Sequence, residues 1–270
     1  MMNPYLEVAL EAAREGGRIL LSEFDRPPSI SYKGEVDIVT QADRRSEEAV
    51  VAILRTRFPK HAIVAEEGGG QESESRFRWL VDPLDGTTNF AHGYPCFAVS
   101  IGLEEDGELI AGVVYQPVTQ EMFTAAKGEG AFLNQKPIHV SGVDRLATSL
   151  LCTGFPSAKR SHSPNIHYYW DFTMRSHGVR RDGSAAMDLA AVACGRFDGF
   201  WEFGLHSWDT AAGTLLVREA GGTVTTFSGH PYRPGDRETL ASNGHIHEEM
   251  RQVALDIGER AAQRQDTPTP

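Results

Sequence analysis

Cysteine is scarce in this sequence. There are three in 270 residues, Cys96, Cys152 and Cys194, far apart and odd in number. No CxxC pair or His/Cys cluster accompanies them. Their pattern argues against a zinc centre, a redox dithiol or a disulfide framework, and fits a reduced, cytoplasmic setting. Long apolar runs are missing too, and the N-terminus has no basic stretch leading into an apolar one, so neither a membrane span nor a secretory leader is expected. Basic residues are outnumbered, 26 Lys and Arg against 37 Asp and Glu, for a formal charge of −11. That balance argues against nucleic acid or an anionic membrane as the main partner. It does not exclude a phosphorylated substrate, because bound divalent cations reverse the local field. Repeats and low-complexity linkers are also absent. A chain of this length forms one or two domains around a sizeable core.

What the sequence does have is acid at the ends of apolar runs. Trp79-Leu80-Val81 reads as a buried strand and stops in Asp82-Pro83-Leu84-Asp85, two carboxylates three residues apart. Gly86-Thr87-Thr88 then reads as a turn opening a helix. Carboxylates held by rigid backbone suit a hard cation, and the N–H groups of a helix start suit an anion. The same string is also common turn chemistry, with Asp as an ordinary cap, and alone it does not separate the two readings. Two further clusters bear on the choice. Ile63-Val64-Ala65 ends in Glu66-Glu67, where adjacent like charges belong in solvent or around a cation. Trp208-Asp209-Thr210-Ala211-Ala212-Gly213 runs into an apolar helix, with Asp209 as its cap or as a metal ligand.

Helical spacing predicts helices over about 5–24, 42–58, 162–176, 184–194, 209–220 and 246–263. Residues 30–40 read as a hairpin turning at Lys33-Gly34-Glu35, with strands near 62–66 and 78–82. From 96 to 140, alternation and turn residues predict an antiparallel sheet. Strands recur at 150–152, 199–202, 223–226 and 239–242. Trp201 and Phe203 share one face of their strand, so Glu202 points the other way. Periodicity alone supports α+β or α/β. A loose boundary near 140–148 divides a metal-binding half, 1–145, from a substrate-side half, 146–265. Residues 266–270 form a frayed polar tail.

Taken in order, Glu66-Glu67, Asp82-Pro83-Leu84-Asp85-Gly86-Thr87-Thr88-Asn89-Phe90 and Trp208-Asp209-Thr210-Ala211-Ala212-Gly213 resemble the three motifs of the inositol monophosphatase family. Arg181-Asp182-Gly183-Ser184-Ala185-Ala186-Met187-Asp188-Leu189 resembles its substrate-side loop and helix. The resemblance runs from about residue 5 to about 250 and implies an α-β-α-β-α sandwich. It also implies a homodimer and magnesium-dependent, lithium-inhibited hydrolysis of a phosphate monoester by metal-activated water. Two or three magnesium ions are implied per site. The first takes Glu66, Asp82 and the Leu84 carbonyl, and the second takes Asp82, Asp85 and Asp209. A weaker third uses Glu66 and water. Thr87, oriented by Asp43, would position and deprotonate the attacking water, with Gly86 and Thr87 amides on the phosphate. Asp85, Gly183, Ser184, Ala185, Glu202 and Asp209 would bind the substrate. Glu67, Lys33 and His206 are further candidates, each with an ordinary structural alternative.

The leading substrate on this resemblance is myo-inositol monophosphate, within a class of small phosphorylated polyols and sugars. Sister phosphatases acting on fructose 1,6-bisphosphate, histidinol phosphate or a 3′-phosphoadenosine nucleotide form the runner-up. A non-enzymatic regulatory binding protein on the same fold is the third reading. Thr88 favours the inositol branch, since nucleotide-phosphatase relatives more often carry Lys there. The intact acids disfavour a purely binding role.

Overall fold

The computed structural model describes residues 3–24, 30–32, 38–155 and 163–265. Lys33, its turn and the tail from 266 lie outside them.

The chain opens with α1 (Pro4–Phe24). A short antiparallel pair follows, β1 (Ile30–Tyr32) and β2 (Ile38–Thr40), and then α2 (Gln41–Arg57). Thr40 caps α2 by accepting from the Ala42 and Asp43 amides, and Asp43 accepts the Thr40 N–H in return. This reciprocal cap satisfies donors that a helix start otherwise leaves open. Next come β3 (Ala62–Ala65), β4 (Phe77–Asp85) and the five-residue α3 (Thr87–Ala91). A meander continues through β5 (Ala98–Glu105), β6 (Glu108–Gln116), β7 (Glu121–Ala126), β8 (Gly130–Leu133) and β9 (Lys136–Ile138). Strands β3 to β9 form one seven-stranded sheet in chain order, parallel at β3–β4 and antiparallel elsewhere.

The chain then alternates. It runs through β10 (Leu150–Thr153), α4 (Asn165–Arg175), β11 (Gly178–Arg180), α5 (Ala185–Ala193) and β12 (Gly199–Phe203). It ends with α6 (Ser207–Glu219), β13 (Thr223–Thr225), β14 (Glu238–Ser242) and α7 (His247–Gln265). The second sheet has the order β11-β10-β12-β14-β13.

Three apolar clusters stack these elements into five layers. Helices α1 and α2 cover one face of the first sheet through Leu20, Val50, Leu54 and Trp79. Helices α5 and α6 lie between the sheets, where Leu80, Leu189, Leu216 and Phe200 meet. Helices α4 and α7 cover the outer face of the second sheet around Phe172, Trp201 and Met250. The α-β-α-β-α sandwich implied by the resemblance is the observed fold. Helix α6 presses close to the first sheet because β5 and β6 present glycine there. A β-carbon on Gly102 would stand 2.6 Å from that of Ala211, and one on Gly112 would stand 3.0 Å from the Ala212 Cα.

Strand β11 has no counterpart among the expected elements, and β9 falls inside the expected antiparallel block without being singled out as a strand. Each has three residues and sits at a sheet edge, too short for alternation to register. Strand β4 also runs past the expected end at 82. Its register against β5 shifts between Asp82 and Asp85, a bulge that accommodates Pro83.

Candidate active site

The site assembles where β4 meets α3. At the bulge, Asp82 Oδ1 accepts the Leu84 N–H at 2.9 Å. From α2, the Ser46 hydroxyl holds the Pro83 carbonyl at 3.0 Å. Gly86 then turns the chain with φ of 98°, and a β-carbon there would stand 2.9 Å from the Cys96 carbonyl oxygen. Both facts favour glycine at this turn. Thr87 opens α3 with its hydroxyl 3.0 Å from Asp43 Oδ1 and 3.0 Å from the Leu84 carbonyl.

Glu66 follows β3 directly, and its N–H reaches the Val81 carbonyl at 3.2 Å, which sets it beside the strand that carries Asp82. The acidic loop is braced by Glu47, buried on α2, whose carboxylate accepts from the Glu67 and Gly69 amides at 2.6 Å each. Asp209 arrives from the first turn of α6, with Oδ2 on the His206 N–H at 2.8 Å. Asp85 ties the first sheet to α5. Its Oδ2 accepts the Ser184 hydroxyl at 2.7 Å and the Ala186 N–H at 2.6 Å, at the start of α5. Asn89 adds a second tie, donating to the Cys96 and Asp182 carbonyls at 2.7 Å each and fixing the loop before Gly183.

These elements enclose a pocket of about 490 Å³. Glu66, Asp82, Leu84, Asp85, Gly86, Thr87 and Asp209 line one end; Gly183, Ser184, Ala185, Glu202 and His206 also line it. The structure therefore brings together every site residue expected from the sequence except three. Asp43 stands behind Thr87 and reaches the pocket through it. Glu67 is half-buried outside the lining, held through its amide. Lys33 lies outside the described residues. His206 is exposed and stacks on Trp208 with ring centroids 4.6 Å apart. His247 is a structural residue, bonded to Thr225 and Ser242 at 2.9 Å each.

Acids facing acids dominate the electrostatics. Burial pushes Asp82 and Asp209 well above the usual carboxylate range. For Asp82, Glu66 is the next cause; for Asp209, Asp85 is. Asp85 rises to about 6 through burial, against the lowering effect of its Ser184 and Ala186 bonds. Burial likewise lifts Asp43, which its Thr40 and Thr87 bonds oppose. Glu202 is pushed up to about 8, first by burial and then by Asp85.

Among the described residues, no group of three or more His, Cys, Asp or Glu side chains is arranged to hold a metal ion by itself. Asp82, Asp85 and Asp209 each turn one oxygen to a protein donor. The donor set still fits a hard divalent cation. It consists of oxygen ligands alone, and the acids raise one another's proton affinity across one pocket end, which a cation between them relieves.

Glu47, Ser46 and Asn89 carry positioning roles that the sequence reading missed. Arg181 and Arg237, at the pocket lining, were also missed. Asn89, inside the second motif, and Arg181, inside the substrate-side segment, stood in stretches whose resemblance could have flagged them.

The profile of the inositol monophosphatase family matches residues 1–259. The inositol-1-monophosphatase of Synechocystis sp. is 46% identical over 256 residues, covering 93% of this chain and 89% of that protein. The Pseudomonas aeruginosa protein named Nus factor SuhB is 47% identical over 237 residues, covering 84% and 87%. Among solved structures, an inositol monophosphatase from Anabaena superposes with a TM-score of 0.85 at 43% identity, covering 93% of this chain and 95% of that one.

Proposed function

The chain belongs to the inositol monophosphatase family and is a phosphoric monoester hydrolase; from that premise we propose that its substrate is a monophosphorylated polyol, myo-inositol monophosphate foremost, and its metal magnesium. One observation carries the reading. Acids from three separate motifs converge on one end of a pocket whose lining also includes Glu202, a lone acceptor suited to ring hydroxyls.

Glu66, Asp82 and the Leu84 carbonyl would hold one ion, and Asp82, Asp85 and Asp209 a second, with a weaker third at Glu66. Bound there, the ions supply charge neutralisation at the phosphate and a lowered pKa for the attacking water. The protein's own groups do the rest. The Thr87 hydroxyl has one proton and two acceptors within 3.0 Å, Asp43 and the Leu84 carbonyl. The Leu84 carbonyl would be a cation ligand, which would leave Asp43 as the acceptor for that proton. The lone pairs of Thr87 Oγ are then free to accept from a water and draw its proton toward Asp43. The Gly86 and Thr87 amides take phosphate oxygens. Ser184 and the Ala186 amide hold Asp85 still, while the Gly183-Ser184-Ala185 backbone meets the ring.

A bisphosphate substrate is the second reading, and the guanidinium groups of Arg181 and Arg237 at the pocket favour it. Glu202 opposes it, since a carboxylate repels a second phosphate nearby. The relative named Nus factor SuhB brings a regulatory binding role into view, and the retained acids argue that catalysis is kept beside any such role. We read the protein as cytoplasmic, with three free thiols, and as a homodimer. Among the described residues no helix is long and apolar enough to cross a membrane. Ile166, Trp170 and Met174 supply the apolar face that a second copy would cover; spaced one turn apart on α4, they are 54, 69 and 70% exposed.

A phosphate-release panel with purified protein tests the reading. Myo-inositol monophosphate is expected to lead, with activity lost in chelator and inhibited by lithium and by calcium, which prefers more ligands and longer bonds than magnesium. Full activity in chelator, or a wide preference for fructose 1,6-bisphosphate or a nucleotide 3′-phosphate, would overturn it.

A further inference from the structure

Helix α2 grips both acid-bearing segments of the metal end of the pocket. Its first turn carries Asp43, bonded to Thr87, and the next carries Ser46, bonded to the Pro83 carbonyl. Glu47 and Arg55 on the same helix reach the other segment, the loop from Glu66 to Gly70. Both Glu47 carboxylate oxygens are used there. Oε2 accepts the Glu67 N–H and Oε1 the Gly69 N–H, at 2.6 Å each. The Arg55 guanidinium donates to the Gly69 and Gly70 carbonyls at 2.6 and 2.8 Å. One helix thus holds the loop by its donors and by its acceptors.

The loop is shaped for this grip. At its base Ile63 and Gln71 exchange main-chain hydrogen bonds of 2.8 Å, which returns the chain to β3. A β-carbon on Gly69 would stand 2.6 Å from Glu47 Oε1, and one on Gly70 would collide with the Ile63 carbonyl oxygen. Glycine at both positions lets the backbone come down onto Glu47 and onto β3. Successive amides then bond to different anchors. The Glu66 N–H meets the Val81 carbonyl on β4, and the Glu67 N–H meets Glu47 on α2. Glu66, fixed on either side, lines the pocket, whereas Glu47 is not part of the lining. Glu47 is 3% exposed, so its bonds are made away from water, where a carboxylate holds main-chain N–H groups most strongly.

We propose that Glu47 is a positioning residue for Glu66: its carboxylate fills the cradle of N–H groups at Glu67 and Gly69, sets the acidic loop before a cation arrives, and so governs the affinity for the metal. A loop already in place gives up little conformational freedom on binding. Without the carboxylate, binding has to order residues 66–70 as well, and that cost is subtracted from the affinity. The inference rests on the divalent-cation reading above and identifies what holds one of its ligands in place.

The test measures magnesium affinity by calorimetry on metal-free protein, and amide hydrogen exchange over residues 66–70, in wild type, Glu47→Gln and Gly69→Ala. Gln keeps the shape of Glu47 but offers one acceptor to two N–H groups. Ala at position 69 leaves every carboxylate in the chain and pushes Glu47 off the cradle. Each variant binds magnesium about tenfold more weakly, the worth of one hydrogen bond to a charged group. In the metal-free variants the Glu67 and Gly69 amides exchange about tenfold faster than in wild type. In steady-state kinetics the loss falls on the magnesium concentration that gives half activity, with kcat at saturating magnesium changed far less. Gly69→Ala, in an exposed stretch of the loop, decides the matter even if Glu47→Gln fails to fold. Wild-type magnesium affinity in Gly69→Ala, unchanged exchange at the two amides, or a loss of kcat that saturating magnesium does not restore overturns the proposal. A wild type that binds no magnesium and keeps full activity in chelator refutes the cation reading itself, and the inference falls with it.

Discussion

The Thr87 hydroxyl lies 3.0 Å from Asp43 Oδ1, across 44 positions of sequence, and this bond joins the cap of α2 to the loop that carries the acids. Asp43 thus has two tasks. Its Oδ2 accepts from Thr40 to close the helix cap, and its Oδ1 faces the group proposed to handle the attacking water.

The two tasks separate by mutation. Thr87→Val is expected to lower kcat about 100-fold, the usual worth of a positioned proton acceptor, with KM little changed. Thr87→Ser should retain most of the activity. Asp43→Ala should lose activity and also about 1 kcal/mol of stability, the worth of a helix cap. Steady-state kinetics and urea denaturation of the three variants check this. A Thr87→Val enzyme with normal kcat removes Thr87 from the mechanism.

Asp85→Asn keeps the side-chain shape and an acceptor for Ser184, so the fold is expected to survive. The charge toward the second cation is lost, and kcat should fall about 100-fold or more. Near-wild-type turnover at saturating magnesium would show that Asp85 is not a ligand.

Glu202→Gln should weaken myo-inositol monophosphate more than p-nitrophenyl phosphate, because the simple ester does not extend to Glu202. In the metal-free protein Glu202 is a neutral acid below about 8 and a carboxylate above it. The wild-type preference for the polyol ester should therefore grow as pH rises through that value, above which the acceptor-only form dominates. Bound cations, by shielding Asp85, move the rise to lower pH. The Gln variant should show no such rise. Parallel pH profiles in the two enzymes would exclude Glu202 as the specificity group.

His247 makes an acid-sensitive contact away from the site. It is buried between Thr225 and Ser242, and burial lowers its pKa to about 4. The neutral ring is the form the fold prefers. Its contribution is full above the free-histidine value near 6.5 and is lost as pH falls through 4, to a total of up to about 3 kcal/mol. Stability measured by denaturant between those pH values should fall less steeply in His247→Gln. An equal slope would mean that this histidine titrates normally.

Trp170, 69% exposed on α4, is expected to lie at the subunit contact. Trp170→Glu should shift the protein from dimer to monomer in light scattering without unfolding it, since Phe172 and Tyr168 on the inner face of α4 hold the helix in place. A wild-type monomer, or a dimer unaffected by the substitution, assigns the apolar stripe elsewhere.

The acids at the end of β4 and the start of α6 were legible because their signals are local. A buried run that stops in Asp82-Pro83-Leu84-Asp85-Gly86 must turn there, since proline leaves the strand ladder and glycine supplies the positive φ. Alternation likewise gave the direction of Glu202 from Trp201 and Phe203 alone. Asp43 was legible only through resemblance; nothing near it in the chain points to Thr87.

What the sequence by itself determined is the set of elements and the short segments bearing acid, because helix period, strand alternation and turn chemistry act within a few residues. Tertiary structure decided which of those segments share a pocket and what stands behind them. Asp85 meets Ser184 across 99 positions, Asn89 meets Asp182 across 93, and Glu47 meets the acidic loop across 20 and 22. Asp188 shows the limit most plainly. In sequence it is one polar residue in an alanine-rich helix, a place usually solvated. Stacking α5 between two sheets buries Asp188, and that burial raises its hold on a proton well above that of an ordinary aspartate.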